Sequence, residues 1–135
     1  MKLLALAAFL VMPGFSQAIT CDTLAKCQEL LRNQGRSSLA HYRIAELYFL
    51  QGNYQKAANE YREAITGDLK PGWVQVWSHI NLGKIFDING QRDRALNEYR
   101  RAMDTKDDTQ GALAEATKYI EVPYNLSAKE TLPVN

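Results

Sequence analysis

Residues 41–65, HYRIAELYFLQGNYQKAANEYREAI, return 38 positions later and without a gap as residues 79–103, HINLGKIFDINGQRDRALNEYRRAM. Eight of the 25 columns are identical: His41/His79, Gly52/Gly90, Ala57/Ala95, Asn59/Asn97, Glu60/Glu98, Tyr61/Tyr99, Arg62/Arg100 and Ala64/Ala102. That is far more than chance gives, so the stretch is duplicated. A unit this short cannot bury its apolar face alone and must stack on a neighbour. The duplication therefore predicts an all-α chain built as a short α-solenoid of two helix-turn-helix repeats.

The flanking sequence supplies the ends of such an array. Asp22 or Thr23 can cap an opening helix whose Leu24, Cys27, Leu30 and Leu31 follow a helical period, and Asn33-Gln34-Gly35 stops it. Ser37 and Ser38 cap the next helix, where Leu39, Tyr42, Ala45, Leu47, Tyr48 and Leu50 make a wide apolar surface. Gly52 then provides the positive φ that ends many helices, and Tyr54, Ala57, Ala58, Tyr61, Ala64 and Ile65 form the inner stripe of its partner. Residues 67–72, GDLKPG, break the chain before a second pair that starts at Trp73 or Val74, turns at Asn89-Gly90 and returns over 92–103. A closing helix over 109–120 shows Leu113, Ala116, Thr117 and Ile120 on one face and Glu115, Lys118 and Glu121 outside. Opening and closing helices are the capping elements that a solenoid needs.

The domain organisation follows: 1–18 a leader, 19–36 an arm and the opening helix, 37–122 the repeat domain, 123–135 a loose tail. Within the domain the repeats cover 38–71 and 76–109, and the closing helix 109–121. Lys2, the apolar run 3–12, the Pro13-Gly14 break and Ser16-Gln17-Ala18 read as a signal peptide cut after Ala18. The run is about half the roughly 20 residues of a membrane span, so the expected location is periplasmic or secreted. Ile19-Thr20 before Cys21 is not a lipidation context.

Export would leave Cys21 and Cys27, six apart, in an oxidising compartment. On one continuous helix their α-carbons would stand about 9 Å apart, too far to bridge. With Cys21 on an extended arm a disulfide is feasible; a free or intermolecular thiol is the alternative. Neither a CxxC motif nor a Cys/His cluster of metal-site spacing is present.

The two repeats resemble the tetratricopeptide repeat. The second copy reads His79-x2-Leu82-Gly83-x2-Phe86, then Gly90, then Ala95-x3-Tyr99-x2-Ala102. The first reads His41-x2-Ile44-Ala45-x2-Tyr48, then Gly52-x-Tyr54, then Ala57-x3-Tyr61-x2-Ala64. Small residues stand where helices approach closest and aromatics fill the holes between pairs. Two departures from the pattern are His41 and His79 in place of a tryptophan-type aromatic, and a spacing four longer than the usual 34, carried by an insertion within 66–75.

The resemblance implies that the first helix of each pair lines a concave groove that binds peptide or protein partners. Matched position by position, that face is Leu39, Tyr42, Glu46 and Phe49 in the first copy and Trp77, Ile80, Lys84 and Asp87 in the second. Phe49 and Trp77 are the aromatic anchors. The Lys and Asn groups that hold a partner's terminal carboxylate in some relatives are replaced here by Tyr42, Glu46 and Ile80, which argues against a carboxylate-clamp receptor.

Charge excludes other classes. Without Lys2 the chain has 15 basic and 15 acidic residues, with no basic excess for nucleic acid or for an anionic membrane surface. No phosphate loop, His-Glu helix motif or nucleophile elbow occurs, so no catalytic residue, cofactor or metal is expected. His41 and His79 read as packing residues, and the repeated Glu60/Glu98 and Arg62/Arg100 as solvated helix faces. Asn125-Leu126-Ser127 fits a glycosylation triplet, a pattern that chance often produces. The functional expectation is a non-enzymatic interaction module. A self-assembling module whose ends stack into homo-oligomers is the alternative.

Overall fold

A computed structural model describes residues 21–129. The expected leader, with its cut after Ala18, and the last residues of the tail lie outside them. Among the described residues there are six α-helices and no strand, as the periodicity demands. They are α1 (Leu24–Asn33), α2 (Ser38–Leu50), α3 (Tyr54–Thr66), α4 (Trp73–Ile88), α5 (Arg92–Asp104) and α6 (Ala112–Glu121). Each helix packs mainly on the next in sequence, α1 on α2 through α5 on α6, which is the nearest-neighbour order of a short solenoid.

Local chemistry starts and stops these helices. The Thr23 and Ser37 hydroxyls accept the Lys26 and Ala40 N–H groups at 3.3 and 3.2 Å, and the Asn53 side chain accepts that of Lys56 at 3.3 Å. Gly52 and Gly90 take φ +72° and +70°, and the residue after each donates back to Tyr48 and Phe86 at 2.9 and 2.8 Å. The two turns are near copies.

The duplicated small residues make the core. Ala57, Ala64, Ala95 and Ala102 are fully buried, and Tyr61 and Tyr99 lie beside them with almost no exposure. A methyl group on Gly83 would run into the Tyr99 ring, so this helix position admits no side chain while the ring stays where it is.

The two histidines are held by the two repeated glutamates, which corrects the expectation of solvated glutamate faces. His41 Nδ1 lies 2.7 Å from Glu60 Oε2, and His79 Nδ1 lies 2.7 Å from Glu98 Oε2. Against an ionised carboxylate the ring nitrogen must donate. Each bond clasps the first helix of a pair to the second. Burial favours it, because a half-buried imidazole N–H needs an acceptor.

The four extra residues of the insertion divide between loop and helix. α4 has 16 residues against 13 in α2, and its added first turn brings Trp73 edge-on to Tyr42, with ring centroids 5.2 Å apart. The loop itself is latched to the start of α2. Asp68 accepts the Ser38 N–H at 3.1 Å, Leu69 N–H donates to the Ser38 hydroxyl at 2.8 Å, and Asp68 N–H donates to the Arg36 carbonyl at 2.8 Å. A Cβ on Gly67 would come within 2.5 Å of the Ser38 hydroxyl, so the close approach depends on glycine.

The closing helix differs from its expected orientation. Its buried face is Ala112, Ala116 and Tyr119, with Leu113 and Ile120 at the margin and Thr117 exposed. Gly111, at φ +75°, turns the chain from a short 3-10 turn (Thr109–Gly111) into α6, and the alanines let α6 approach while Tyr119 meets Tyr99 at 5.8 Å. Glu115 consequently faces the repeats rather than outward. The tail is not loose at its start either, since Tyr124 is buried in the same core as the repeats.

Candidate partner-binding face

The first helices of the two pairs, α2 and α4, carry the expected groove residues, but not all of these meet solvent. Tyr42 and Ile80 are buried, and the Asp87 side chain is 1% exposed. Leu39, Glu46, Phe49, Trp77 and Lys84 are half-buried. The candidate face therefore divides into a buried floor and a half-open rim.

At the α2 end, the floor is aromatic. Tyr42 packs edge-on to both Tyr61, at 5.6 Å, and Trp73, while its hydroxyl accepts a hydrogen bond from Asn81 at 3.4 Å. Burial, reinforced by the nearby Glu46 carboxylate, pushes the Tyr42 phenol well above its ordinary range. It stays neutral at any physiological pH. On the rim, Arg43 pairs with Glu46 at 2.7 Å and its guanidinium lies 5.6 Å from the Trp73 ring centre. Arg43 and Trp73 belong to this face although the repeat pattern did not mark them. Trp73 was hidden because it sits in the insertion, outside the duplicated columns.

At the α4 end, the groove residues are engaged by the C-terminal part of the chain. Trp77 donates its indole N–H to the Thr109 carbonyl at 3.0 Å, and Lys84 pairs with Glu115 at 3.0 Å. Burial alone would raise the Glu115 carboxyl, but the Lys84 ammonium outweighs it and holds the group below its ordinary value. Tyr119 is pushed up to about 12, by burial and then by the same Glu115 charge.

Asp87 is the junction of this end. Arg92 donates to both its carboxylate oxygens at 3.0 and 3.1 Å, the Tyr99 hydroxyl donates at 2.8 Å, and the Tyr124 backbone N–H donates at 2.9 Å. Arg92 also donates to the Ile120 carbonyl at 2.7 Å, tying the end of α6 to the same point. The donors come from two side chains of the second repeat and one backbone group of the C-terminal segment, so the carboxylate is held from three sides. Burial and the Asp87 acceptor together raise the Tyr99 phenol far above its usual range.

Residues 122–124 run as an extended strap after α6. Pro123 disfavours helix at Val122, whose φ of −131° and ψ of 126° are extended. Tyr124 enters a cage made by Phe49, edge-on at 6.5 Å, Tyr119, edge-on at 5.2 Å, and the Lys84 ammonium 5.3 Å from its ring centre. A cleft of about 660 Å³ opens beside it, lined by Asp87, Ile88, Lys118, Tyr119, Tyr124 and Leu126. Next to Phe49, at the C-terminal end of α2, Leu50 is 83% exposed, an apolar side chain presented to solvent.

Cys21 and Cys27 are within disulfide distance, their α-carbons 4.8 Å apart, with Cys21 on the arm before α1. The described residues contain no group of three or more His, Cys, Asp and Glu placed to hold a metal ion, and no helix long and apolar enough to cross a membrane.

Residues 38–66 match the tetratricopeptide repeat family. The match covers α2, the turn and α3 entirely; the second pair is joined to it by the duplication. No curated protein matches the chain.

Proposed function

Since residues 38–66 are a tetratricopeptide repeat and 79–103 its copy, we propose that this chain is a non-enzymatic adaptor that binds a peptide or protein along its concave face. The observation that carries the reading is the series of large apolar and aromatic side chains left partly open along α2 and α4. Phe49, Trp73 and Trp77 are half-buried, and Leu50 is exposed. An apolar surface of this kind, rimmed by charges such as Glu46 and Lys84, is suited to a polypeptide partner. Tyr42, Ile80 and Asp87 then act from behind, by holding the rim in place.

Two repeats give a short groove. An interface below the standard of about 1,600 Å² fits affinities near micromolar, or use within a larger assembly. The test is partner recovery from extract by the tagged chain, compared with Leu50→Glu and with the double variant Phe49→Ala, Trp77→Ala. Circular dichroism checks that each variant keeps its helices. Recovery should fall at least tenfold; unchanged recovery by folded variants sinks the groove reading.

The same proposal places the mature chain outside the cytoplasm, beginning at Ile19 and bridged between Cys21 and Cys27. The leader-like residues 1–18 and the distance between the two sulfur-bearing residues support this. The intact mass of the protein from its native host would test both points. A chain starting at Met1, or carrying two alkylatable thiols, would count against them.

A further inference from the structure

We infer that the strap over residues 122–124 is an intramolecular ligand. It occupies the site in which a partner's extended segment inserts an aromatic side chain. The inference rests on the groove reading above and specifies the chemistry that this end of the groove accepts.

The strap has the form of a docked peptide rather than of a core element. It is extended and belongs to no helix. Its single buried side chain, Tyr124, is 5% exposed, whereas Val122 before it is 64% exposed and Leu126 after it 42%. One aromatic anchor with exposed neighbours is how a short linear segment binds in a pocket.

The receptor side is complete without the strap. Asp87 already receives both oxygens' worth of donors from Arg92 and Tyr99, residues of the second repeat itself. The carboxylate is thus fixed in advance, and the incoming segment adds one backbone N–H. Any residue other than proline can supply that N–H, so this contact positions the segment without reading its sequence. Selectivity lies in the cage. Lys84 offers a cation to a ring face, and Phe49 and Tyr119 offer edge-on contacts, an arrangement that favours a π-system over an aliphatic chain. Beside the anchor, Val122, Pro123, Asn125 and Leu126 form one wall of the adjoining cleft and Ile88, Lys118 and Tyr119 the other, so the residues flanking the anchor stand off the helices.

Because the strap is covalently attached, it competes at high effective concentration, and a partner binds only by displacing it. Weakening the strap's anchor should therefore open the site. The probe is a fluorescein-labelled heptapeptide with the sequence of residues 121–127, EVPYNLS, set beside its counterpart EVPANLS. Full-length chain carrying Tyr124→Ala should bind EVPYNLS at least tenfold more tightly than the unaltered chain does, and EVPANLS should bind neither. If folded Tyr124→Ala binds neither peptide, or both alike, the inference is overturned.

Should Tyr124→Ala lose its helices, hydrogen exchange on the unaltered chain decides. The Tyr124 amide should exchange at least tenfold faster than that of Phe86, through opening of the strap alone. Exchange of both through one global opening would make the strap a structural cap and overturn the inference. Loss of partner recovery in Leu50→Glu, together with absent peptide binding, defeats this inference and leaves the groove reading standing. The opposite pair of results defeats the groove reading alone.

Discussion

The two repeats are copies that have come to do different things with one column. At the last turn of the first helix, the first copy has Phe49 and the second has Asp87. The Phe49 ring packs against Tyr54, a contact between neighbours across the turn. Asp87 instead gathers Arg92, Tyr99 and the Tyr124 strap around a buried charge. The column equivalent to Ala45 and Gly83 has followed: with its hydroxyl drawn to Asp87, the Tyr99 ring sits where a Cβ on residue 83 would lie. One apolar-to-acidic difference at one position thus accompanies a ring seated against a helix backbone and a fixed C-terminal segment. Both copies touch the C-terminal segment, Phe49 by the edge of its ring and Asp87 by a hydrogen bond to the Tyr124 N–H, so one column contributes an apolar contact in one repeat and a polar junction in the other.

The sharpest way to break this contrast is to remove its charge. Asp87→Ala leaves Arg92, Tyr99 and the Tyr124 N–H facing an empty site, and should cost about 3–5 kcal/mol in urea unfolding. Phe49→Ala loses ring contacts without orphaning a polar group, so it should cost less. Equal costs would mean that the acidic junction adds nothing of its own.

Next comes the glycine. In an ordinary helix interior Gly→Ala stabilises by about 1 kcal/mol. Gly83→Ala should instead destabilise by about 1–3 kcal/mol, because its methyl group meets the Tyr99 ring. In the first copy the equivalent residue is Ala45, and Ala45→Gly should lose about 1 kcal/mol by propensity alone. A stabilised Gly83→Ala chain would show that the ring moves away freely.

The clasps should differ in the same sense but by less. His79 and Glu98 have side chains 8% and 13% exposed, against 15% and 27% for His41 and Glu60. Replacing His79 with Ala should cost about 1–2 kcal/mol and replacing His41 about 0.5–1 kcal/mol, read from urea midpoints. A reversed order would separate clasp strength from burial.

The smallest effect is confined to acid. The Glu115 carboxyl is held below its ordinary value in the folded chain. Its stabilising pairing with Lys84 is therefore present above the unfolded value and is lost as pH falls through the lower, folded one. Thermal midpoints followed from about pH 6 to about 3 should fall slightly less in Glu115→Gln than in the parent chain, by an amount worth tenths of a kcal/mol for a pair that solvent still reaches in part. Identical profiles would exclude the contribution.

Much of this molecule can be read from its residues, and the parts that cannot have identifiable physical causes. The duplicated alanines, tyrosines and turn glycines report helix contact and termination directly, so the four repeat helices fall where periodicity puts them. The His–Glu clasps do leave a signal in the sequence. His41 and Glu60 are 19 apart, His79 and Glu98 are 19 apart, and all four stand in identical columns. Two titratable columns kept together within one duplication mark a pair. Asp87 offered no such mark, because its counterpart is Phe49 and an acid at a helix end ordinarily faces water. Tyr124 lies in a polar tail with no periodicity, so nothing local announces its burial. The buried face of α6 lies about one position away from the one its periodicity suggests, since a left-handed Gly111 sets the register and its neighbours do not reveal it.

The latch between residues 67–69 and the start of α2 has a mechanical consequence. Two stacked hairpins joined by a slack connector could open and close like the covers of a book. Here the connector is stitched to the first of them, because Asp68, Leu69 and Ser38 are bonded to one another and Gly67 sits too close to be replaced. The first part of the connector therefore moves with the first hairpin, and any change of angle between the two pairs falls on the residues between Leu69 and Trp73.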